Sequence, residues 1–138
     1  MELTNYILPV VGAAILHFAI GSLWYSPVMF SKAWVKEMKF SEADMKKMRS
    51  KSMAKLSLVS IISSIVMAAV FSYMIDFAGL TLASEGAVLG FLVWLGFIGT
   101  GSMGMILWEG RSIKHYLINN GYSLISYIIV GAVLVKAL

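Results

Sequence analysis

The chain has 138 residues, of which 59% are hydrophobic and 13% are charged, and it contains no cysteine. A soluble domain is nearer to about 45–50% apolar and about 25% charged, so this composition indicates a membrane protein. The absence of cysteine excludes disulfides, thiolate metal sites, iron–sulfur clusters and cysteine nucleophiles.

Four apolar stretches are long enough to cross a bilayer, which takes about 20 predominantly apolar residues. They are residues 6–25, 55–73, 86–108 and 114–136. Because lipid offers no hydrogen bonds to the backbone, each stretch should be helical. The predicted fold class is therefore all-α, an integral membrane bundle of four transmembrane helices. We expect residues 1–138 to form a single domain, with a short amphipathic interfacial helix on the cytoplasmic side.

Positive charge is concentrated in two of the predicted loops. Of the 11 Lys and Arg residues, eight lie between Lys32 and Lys55, and Arg111 and Lys114 lie between the third and fourth spans. The positive-inside rule places both loops in the cytoplasm and, since the number of spans is even, both termini outside. The basic loop, residues 26–54, should contact anionic lipids of the bilayer.

The first span ends at Trp24 and Tyr25, which are residue types typical of the membrane interface. Residues 26–27, Ser-Pro, fit an N-cap followed by proline at the first helical position. Phe30 and Trp34 then share an apolar face, which predicts a short helix in the headgroup plane. The predicted interfacial anchors are Trp24, Tyr25, Phe30, Trp34 and Trp108.

A capping box, Ser41 to Asp44, predicts the start of a further helix. No helix breaker follows between Met45 and Lys55. We therefore expect this helix to continue directly into the second span.

The third span is rich in glycine. Gly86, Gly90, Gly101 and Gly104 fall in one narrow stripe of a helical wheel, and Gly21 lies one turn after His17 in the first span. Small residues in a stripe allow helices to approach closely in lipid. We expect these five glycines to serve helix packing, with the Gly86–Gly90 pair either inside the bundle or at a subunit interface.

The fourth span carries a polar arc of about 160°, and two asparagines in hydrocarbon need polar partners. His17 is an ionisable side chain well inside the first span, which makes it a candidate for function. Counting ~1.5 Å per residue along each helix puts these groups in one layer of the cytoplasmic half. The predicted polar pathway consists of His17, Ser60, Thr100, Asn119, Asn120, Tyr122 and Ser123. The alternative is a neutral histidine within ordinary interhelical hydrogen bonds.

The stretch Gly21–Trp34, GSLWYSPVMFSKAW, resembles the bacterial membrane family known as domain of unknown function 1761. That family shows a similar G-x-x-W-Y-S-P followed by phenylalanine and tryptophan, although glycine often stands where this chain has Ser31. Residues 94–97, 108–111 and 119–122 also resemble it, so the likeness covers nearly the whole chain. The resemblance implies a four-span protein of the bacterial inner membrane and no established activity.

Three functions stay open at this point. The first, slightly favoured, is a transporter or channel for a small solute or ion through the polar layer. The second is a non-transporting scaffold or accessory subunit that docks through the basic loop. The third is a lipid- or quinone-modifying enzyme using His17 or Glu109. Because no nucleophile, base and acid are recognisably spaced, we expect no enzyme.

The expected partners follow from the same features. Four short helices enclose little space, and the fourth has more polar surface than one bundle easily buries, so we expect a homo-oligomer, most simply a dimer. Two histidines without cysteine do not provide the usual ligands of zinc. We therefore expect no metal and no cofactor, and we expect no nucleic acid as a partner.

Overall fold

The computed structural model describes residues 2–138, and every regular element among them is helical. The α-helices are α1 Thr4–Trp24, α2 Ser31–Met38, α3 Glu42–Arg49, α4 Met53–Ala78, α5 Ala83–Val93, α6 Gly104–Leu107 and α7 Ile113–Ala137. A π-helical stretch, Trp94–Gly99, and a 3₁₀ turn, Gly101–Met103, join α5 to α6. The four helices long and apolar enough to span a membrane are Thr4–Trp24, Met53–Ala78, Ala83–Leu107 and Ile113–Ala137. The predicted all-α membrane bundle is confirmed.

The bundle is arranged around α7. This helix contacts α1, α4 and α5 and packs most extensively on α5, while α1 packs mainly on α4. Val130 and Leu134 of α7 are fully buried and belong to a core with Ala68, Phe71 and Ile75 of α4. These residues lie in the half of the bundle near the chain termini, which we call the far end. The half that carries α2, α3 and the turn between α6 and α7 is the basic end.

Glycines bring the backbones of α5 and α7 into contact. A Cβ atom on Gly86 would lie 2.1 Å from the carbonyl oxygen of Gly131, and one on Gly90 would lie 2.1 Å from that of Tyr127. Real Cβ contacts are essentially never this short, so only glycine fits at either position. The Gly86–Gly90 pair therefore packs inside the bundle.

The other glycines of the predicted stripe lie elsewhere. Gly101 has nothing within 4 Å of its Cβ position, and Gly104 has only the side chain of Trp108, at 3.7 Å. The π-helical stretch Trp94–Gly99 lies between the two pairs. Because a π-helical turn is wider than an α-helical turn, it rotates every later residue away from its position on an ideal wheel.

One predicted helix start in the basic loop was wrong. Residues 25–30 form turns, and α2 begins only at Ser31. The Ser26 hydroxyl donates to the carbonyl of Leu23 at 2.6 Å instead of capping a helix, and the Ser26 carbonyl accepts from the amides of Met29 and Ser31. Pro27 therefore lies within a turn and not in the first turn of a helix.

The predicted continuous helix from α3 into α4 is also interrupted. The Ser50 hydroxyl donates to the carbonyl of Lys47 at 2.6 Å, and the Ser52 hydroxyl accepts from the amide of Lys55 at 3.3 Å. The first bond belongs to the end of α3 and the second caps the start of α4. Serines compete for backbone hydrogen bonds in this way, and here they break the helix without proline or glycine.

The capping box at the start of α3 is present as predicted. The amide of Asp44 donates to the Ser41 hydroxyl at 3.1 Å, and the amide of Ser41 donates to the Asp44 carboxylate at 3.0 Å. The backbone hydrogen bond from Ser41 holds the pKa of the Asp44 carboxyl below its usual value. Nearby, Ser112 at the N-cap of α7 donates to the carboxylate of Glu37, which ties α2 to the bundle.

Candidate functional site

A groove of about 590 Å³ lies between α1 and α4, with α7 as its floor. Met53 and Leu56 in the first turns of α4 and Tyr25 after α1 line it, so it opens toward the basic end. At its other end it reaches Met67 and Tyr127, next to the buried core. Five serines contribute the hydroxyl groups of its wall: Ser22, Ser57, Ser60, Ser63 and Ser64. We refer to this space as the groove.

His17 occupies the floor of the groove and is fully hydrogen-bonded through both ring nitrogens. Its Nδ1 lies 2.8 Å from the Ser64 hydroxyl, and its Nε2 lies 3.0 Å from the Tyr122 hydroxyl. Ser64 donates its own proton to the carbonyl of Ser60 at 2.9 Å, so its oxygen must accept from His17. We therefore assign the proton of the neutral imidazole to Nδ1, which leaves Nε2 to accept from Tyr122.

The sequence of α1 makes room for this arrangement. Gly21 lies one helical turn after His17, and a Cβ atom there would lie 3.0 Å from the Tyr122 hydroxyl. A larger residue at this position would displace the tyrosine from the histidine. Gly21 thus positions the His17–Tyr122 pair.

A second polar cluster lies on the opposite side of α7, against the third span. The indole N–H of Trp94 is shared between the carbonyl of Asn120, at 2.9 Å, and the hydroxyl of Ser123, at 3.1 Å. Ser102 donates to the side-chain oxygen of Asn120 at 2.7 Å, and Tyr116 donates to the carbonyl of Gly99 at 2.6 Å. This cluster satisfies polar groups where the irregular part of the third span meets α7.

Asn119 joins α7 to the end of α1. Its side-chain oxygen accepts from the hydroxyl of Tyr25 at 2.7 Å, and its amide nitrogen lies 3.2 Å from Nε2 of His115. His115 is only 4% exposed. This second histidine is therefore part of the folded interior at the basic end.

The seven residues of the predicted polar pathway do not form one continuous set. His17, Ser60 and Tyr122 line the groove. Asn120 and Ser123 belong to the cluster around Trp94, and Asn119 bonds to Tyr25. Thr100 is exposed and donates to the carbonyl of Gly96 within its own helix. The helix α7 separates these groups because its polar arc faces two different neighbours.

Six polar groove residues were absent from the predicted pathway: Ser22, Tyr25, Ser57, Ser63, Ser64 and Tyr127. The serines of α4 carried a usable signal, because Ser64 with Ser57 and Ser60 continues a stripe at helical spacing. Tyr25 carried none, since a tyrosine at the end of a span is equally typical of an interfacial anchor.

The five predicted interfacial anchors also differ in their surroundings. Trp24 packs against the tilted ring of Phe30, with ring centroids 4.6 Å apart, and donates to the carbonyl of Ile118 at 2.9 Å. Trp34 contacts the ring of Tyr25 at 6.0 Å between centroids. These contacts fasten α1 and the turn before α2 to α7, whereas Trp108 is 88% exposed at the end of the third span.

No group of three or more His, Asp or Glu residues within residues 2–138 is arranged to hold a metal ion. No curated protein and no solved structure matches the chain. The family model described as protein of unknown function (DUF1761) matches residues 8–135, which include most of α1, all of α2 to α6 and nearly all of α7. The resemblance noted in the sequence is confirmed, and the chain belongs to this family of unknown function.

Proposed function

We propose that this protein is a carrier that binds a small solute in the groove and moves it across the membrane. The supporting observation is that the groove opens at the basic end and ends at Met67 and Tyr127, beyond the layer of His17, Ser64 and Tyr122. Met67 and Tyr127 pack against the buried core that contains Val130. A space accessible from one side only fits a carrier with alternating access better than a channel with a continuous path.

The orientation follows from the charge distribution. We place the basic end in the cytoplasm of a bacterium, with both termini outside the inner membrane, because Lys and Arg prefer cytoplasmic loops. The exposed lysines of α2 and α3 then face anionic headgroups. A homodimer is the assembly that we propose, since most of the surface of α1 and of the third span is exposed in one copy.

Single cysteines test the carrier directly, because the chain has none of its own. Ser63→Cys in the groove should react with a membrane-impermeant maleimide from the cytoplasmic side of oriented vesicles. Ala13→Cys, only 3% exposed in the core, should react from the opposite side as the carrier opens there. Leu8→Cys, 80% exposed toward lipid, is the control for reaction without an aqueous path.

An Ala13→Cys protein that reacts no faster than the Leu8→Cys control, from either side, would overturn the carrier. Reaction of Ser63→Cys from the outer side alone would reverse the orientation.

A scaffold remains the second candidate, because α3 is a separately capped helix whose basic residues are exposed. Lys46, Lys47, Arg49 and Lys51 all lie on its surface or just after it. A scaffold that docks through these charges should fail to complement a deletion strain when the four are replaced by glutamine. A carrier should complement it, since the four residues lie outside the groove.

A further inference from the structure

We infer that the solute of the groove is an uncharged amphiphile whose polar end donates hydrogen bonds, an alcohol or a phenol. This inference rests on the groove being the binding site proposed above. Its basis is the set of hydrogen-bonding positions in the groove that no protein group occupies.

Four serine hydroxyls of the groove donate their protons to backbone carbonyls of their own helices. Ser22 donates to Phe18, Ser60 to Leu56, Ser63 to Val59 and Ser64 to Ser60, each hydroxyl oxygen lying 2.9 Å from the backbone carbonyl oxygen. A hydroxyl has one proton to give and two lone pairs with which to accept. Ser64 already accepts from Nδ1 of His17 and is buried. Ser22, Ser60 and Ser63 are therefore the serines that offer acceptor positions to a molecule in the groove.

Two tyrosines of the groove likewise donate their hydroxyl protons to protein acceptors. Tyr25 donates to Asn119 at 2.7 Å, and Tyr122 donates to Nε2 of His17 at 3.0 Å. The hydroxyls of Ser57 and Tyr127 also line the groove and are committed to no donation within the described residues, so they can donate or accept. A ligand that enters thus meets five oxygens that only accept and two hydroxyls that can do either. An alcohol or a phenol complements both kinds, because it donates and accepts, whereas an ether or ketone has no proton for the five acceptors.

The rest of the lining is apolar and includes Phe18, Leu56, Val59 and Met67. None of the described residues that line the groove is an aspartate, glutamate, lysine or arginine. A charged ligand would lose its hydration without gaining a partner of opposite charge, and that cost is large. The groove volume of about 590 Å³ lies within the range typical of small-molecule sites. The bound molecule is therefore uncharged, with an apolar body.

Protonation of His17 changes the hydrogen bonding of the Tyr122 hydroxyl, which is one of these acceptors. A doubly protonated imidazole donates from Nε2, so the Tyr122 oxygen must accept from it and turn its own proton elsewhere. The titratable groups that face His17 are Tyr122 and Tyr127 of α7, with ring centroids at 5.4 and 6.3 Å, while α4 presents Ser64. A donor ligand should therefore bind more weakly once His17 is protonated.

The test compares 4-pentylphenol with its methyl ether, 4-pentylanisole, which has the same apolar body and lacks the donor. Binding to the full chain in nanodiscs is measured by titration calorimetry, with empty nanodiscs subtracted. One hydrogen bond is worth about fivefold to tenfold in affinity, so the phenol should bind tighter than the ether by roughly this ratio. The ratio should fall as the pH is lowered and the imidazole of His17 becomes protonated, and it should be independent of pH in His17→Gln.

Variants test whether the groove causes the difference in affinity between the phenol and the ether. Tyr122→Phe should reduce the ratio of the two affinities, and so should Ser63→Ala, which alters an exposed hydroxyl and leaves the packing intact. Thr100→Ala, outside the groove, should leave the ratio unchanged. Equal binding of the two probes to the native protein overturns the inference, as does a ratio that neither groove variant alters.

The binding assay and the cysteine labelling fail independently. Selective phenol binding with an unreactive Ala13→Cys protein would keep the ligand class and reject the carrier. Labelling of Ala13→Cys without selective binding would keep the carrier and reject the ligand class.

Discussion

Replacing Gly90 with alanine should push α5 and α7 apart and destabilise the protein. The new Cβ atom would lie 2.1 Å from the carbonyl oxygen of Tyr127 and 2.5 Å from its carbonyl carbon. Restoring an ordinary separation of about 3.5 Å requires the two backbones to move apart by about 1.4 Å, because a carbonyl cannot rotate away as a side chain can. A gap of about 1 Å already forfeits about half of the dispersion energy of each contact across the interface.

The net effect is the difference between two opposing terms. Overpacking costs about 1–3 kcal/mol, and the clash with backbone puts Gly90→Ala at the upper end of this range. Alanine favours a helix over glycine by about 1 kcal/mol. We expect a net loss of about 2 kcal/mol in the free energy of unfolding. Gly12→Ala in α1 is the matched control, because nothing lies within 4 Å of its Cβ position.

Unfolding in mixed micelles with increasing sodium dodecyl sulfate, followed by circular dichroism, measures this difference. Gly12→Ala should be as stable as the native protein or up to about 1 kcal/mol more stable, from helix propensity alone. Equal stability of the Gly90→Ala and Gly12→Ala proteins would refute the backbone contact between α5 and α7.

Three further predictions use the hydrogen bonds of the bundle. Ser102→Ala removes the donor to the buried side-chain oxygen of Asn120 and should cost about 0.6–2 kcal/mol in the same unfolding assay; an unchanged midpoint would contradict it. Tyr25→Phe removes the bond to Asn119 and should cost a similar amount, about 0.6–2 kcal/mol, which a double-mutant cycle with Asn119→Ala isolates. The depressed pKa of Asp44 means that its contribution to α3 is complete above the unfolded pKa of about 4. This contribution is lost as pH falls through the lower folded pKa. The protection of the α3 amides, measured as exchange rates relative to the intrinsic rates at each pH, should therefore decrease there, and in Asp44→Asn this protection should not change over the same range.

The sequence predicted the parts of the fold that depend on local chemistry. Apolar length located the four spans, and the spacing of Ser41 and Asp44 located the start of α3. The separation of α3 from α4 was missed because Ser50 and Ser52 act through their particular hydrogen bonds, which serines make only in some contexts. A serine between two helical patterns carries no fixed preference, unlike proline or glycine.

The candidate site was predicted only in part, because a helical wheel gives the angle of a residue and not the neighbour that occupies that angle. Asn119, Asn120 and Tyr122 share one polar arc, yet Tyr122 faces α1, whereas Asn120 faces the third span. Depth along the membrane placed Thr100 near His17, but the π-helical stretch alters the phase after residue 94. Periodicity alone cannot resolve either point.

The central position of α7 has a consequence for biogenesis. It is synthesised after the other three spans, and yet it supplies the hydrogen-bond partner of His17, the partners of the Trp94 indole and the backbone surface for Gly86 and Gly90. Before α7 inserts, the α1–α4 hairpin and the third span lack the helix that joins them. Domains generally fold from the N-terminus during synthesis, but here the earlier spans must wait in the bilayer until α7 has been synthesised and inserted. During this interval the His17 imidazole and the Trp94 indole lack their α7 partners.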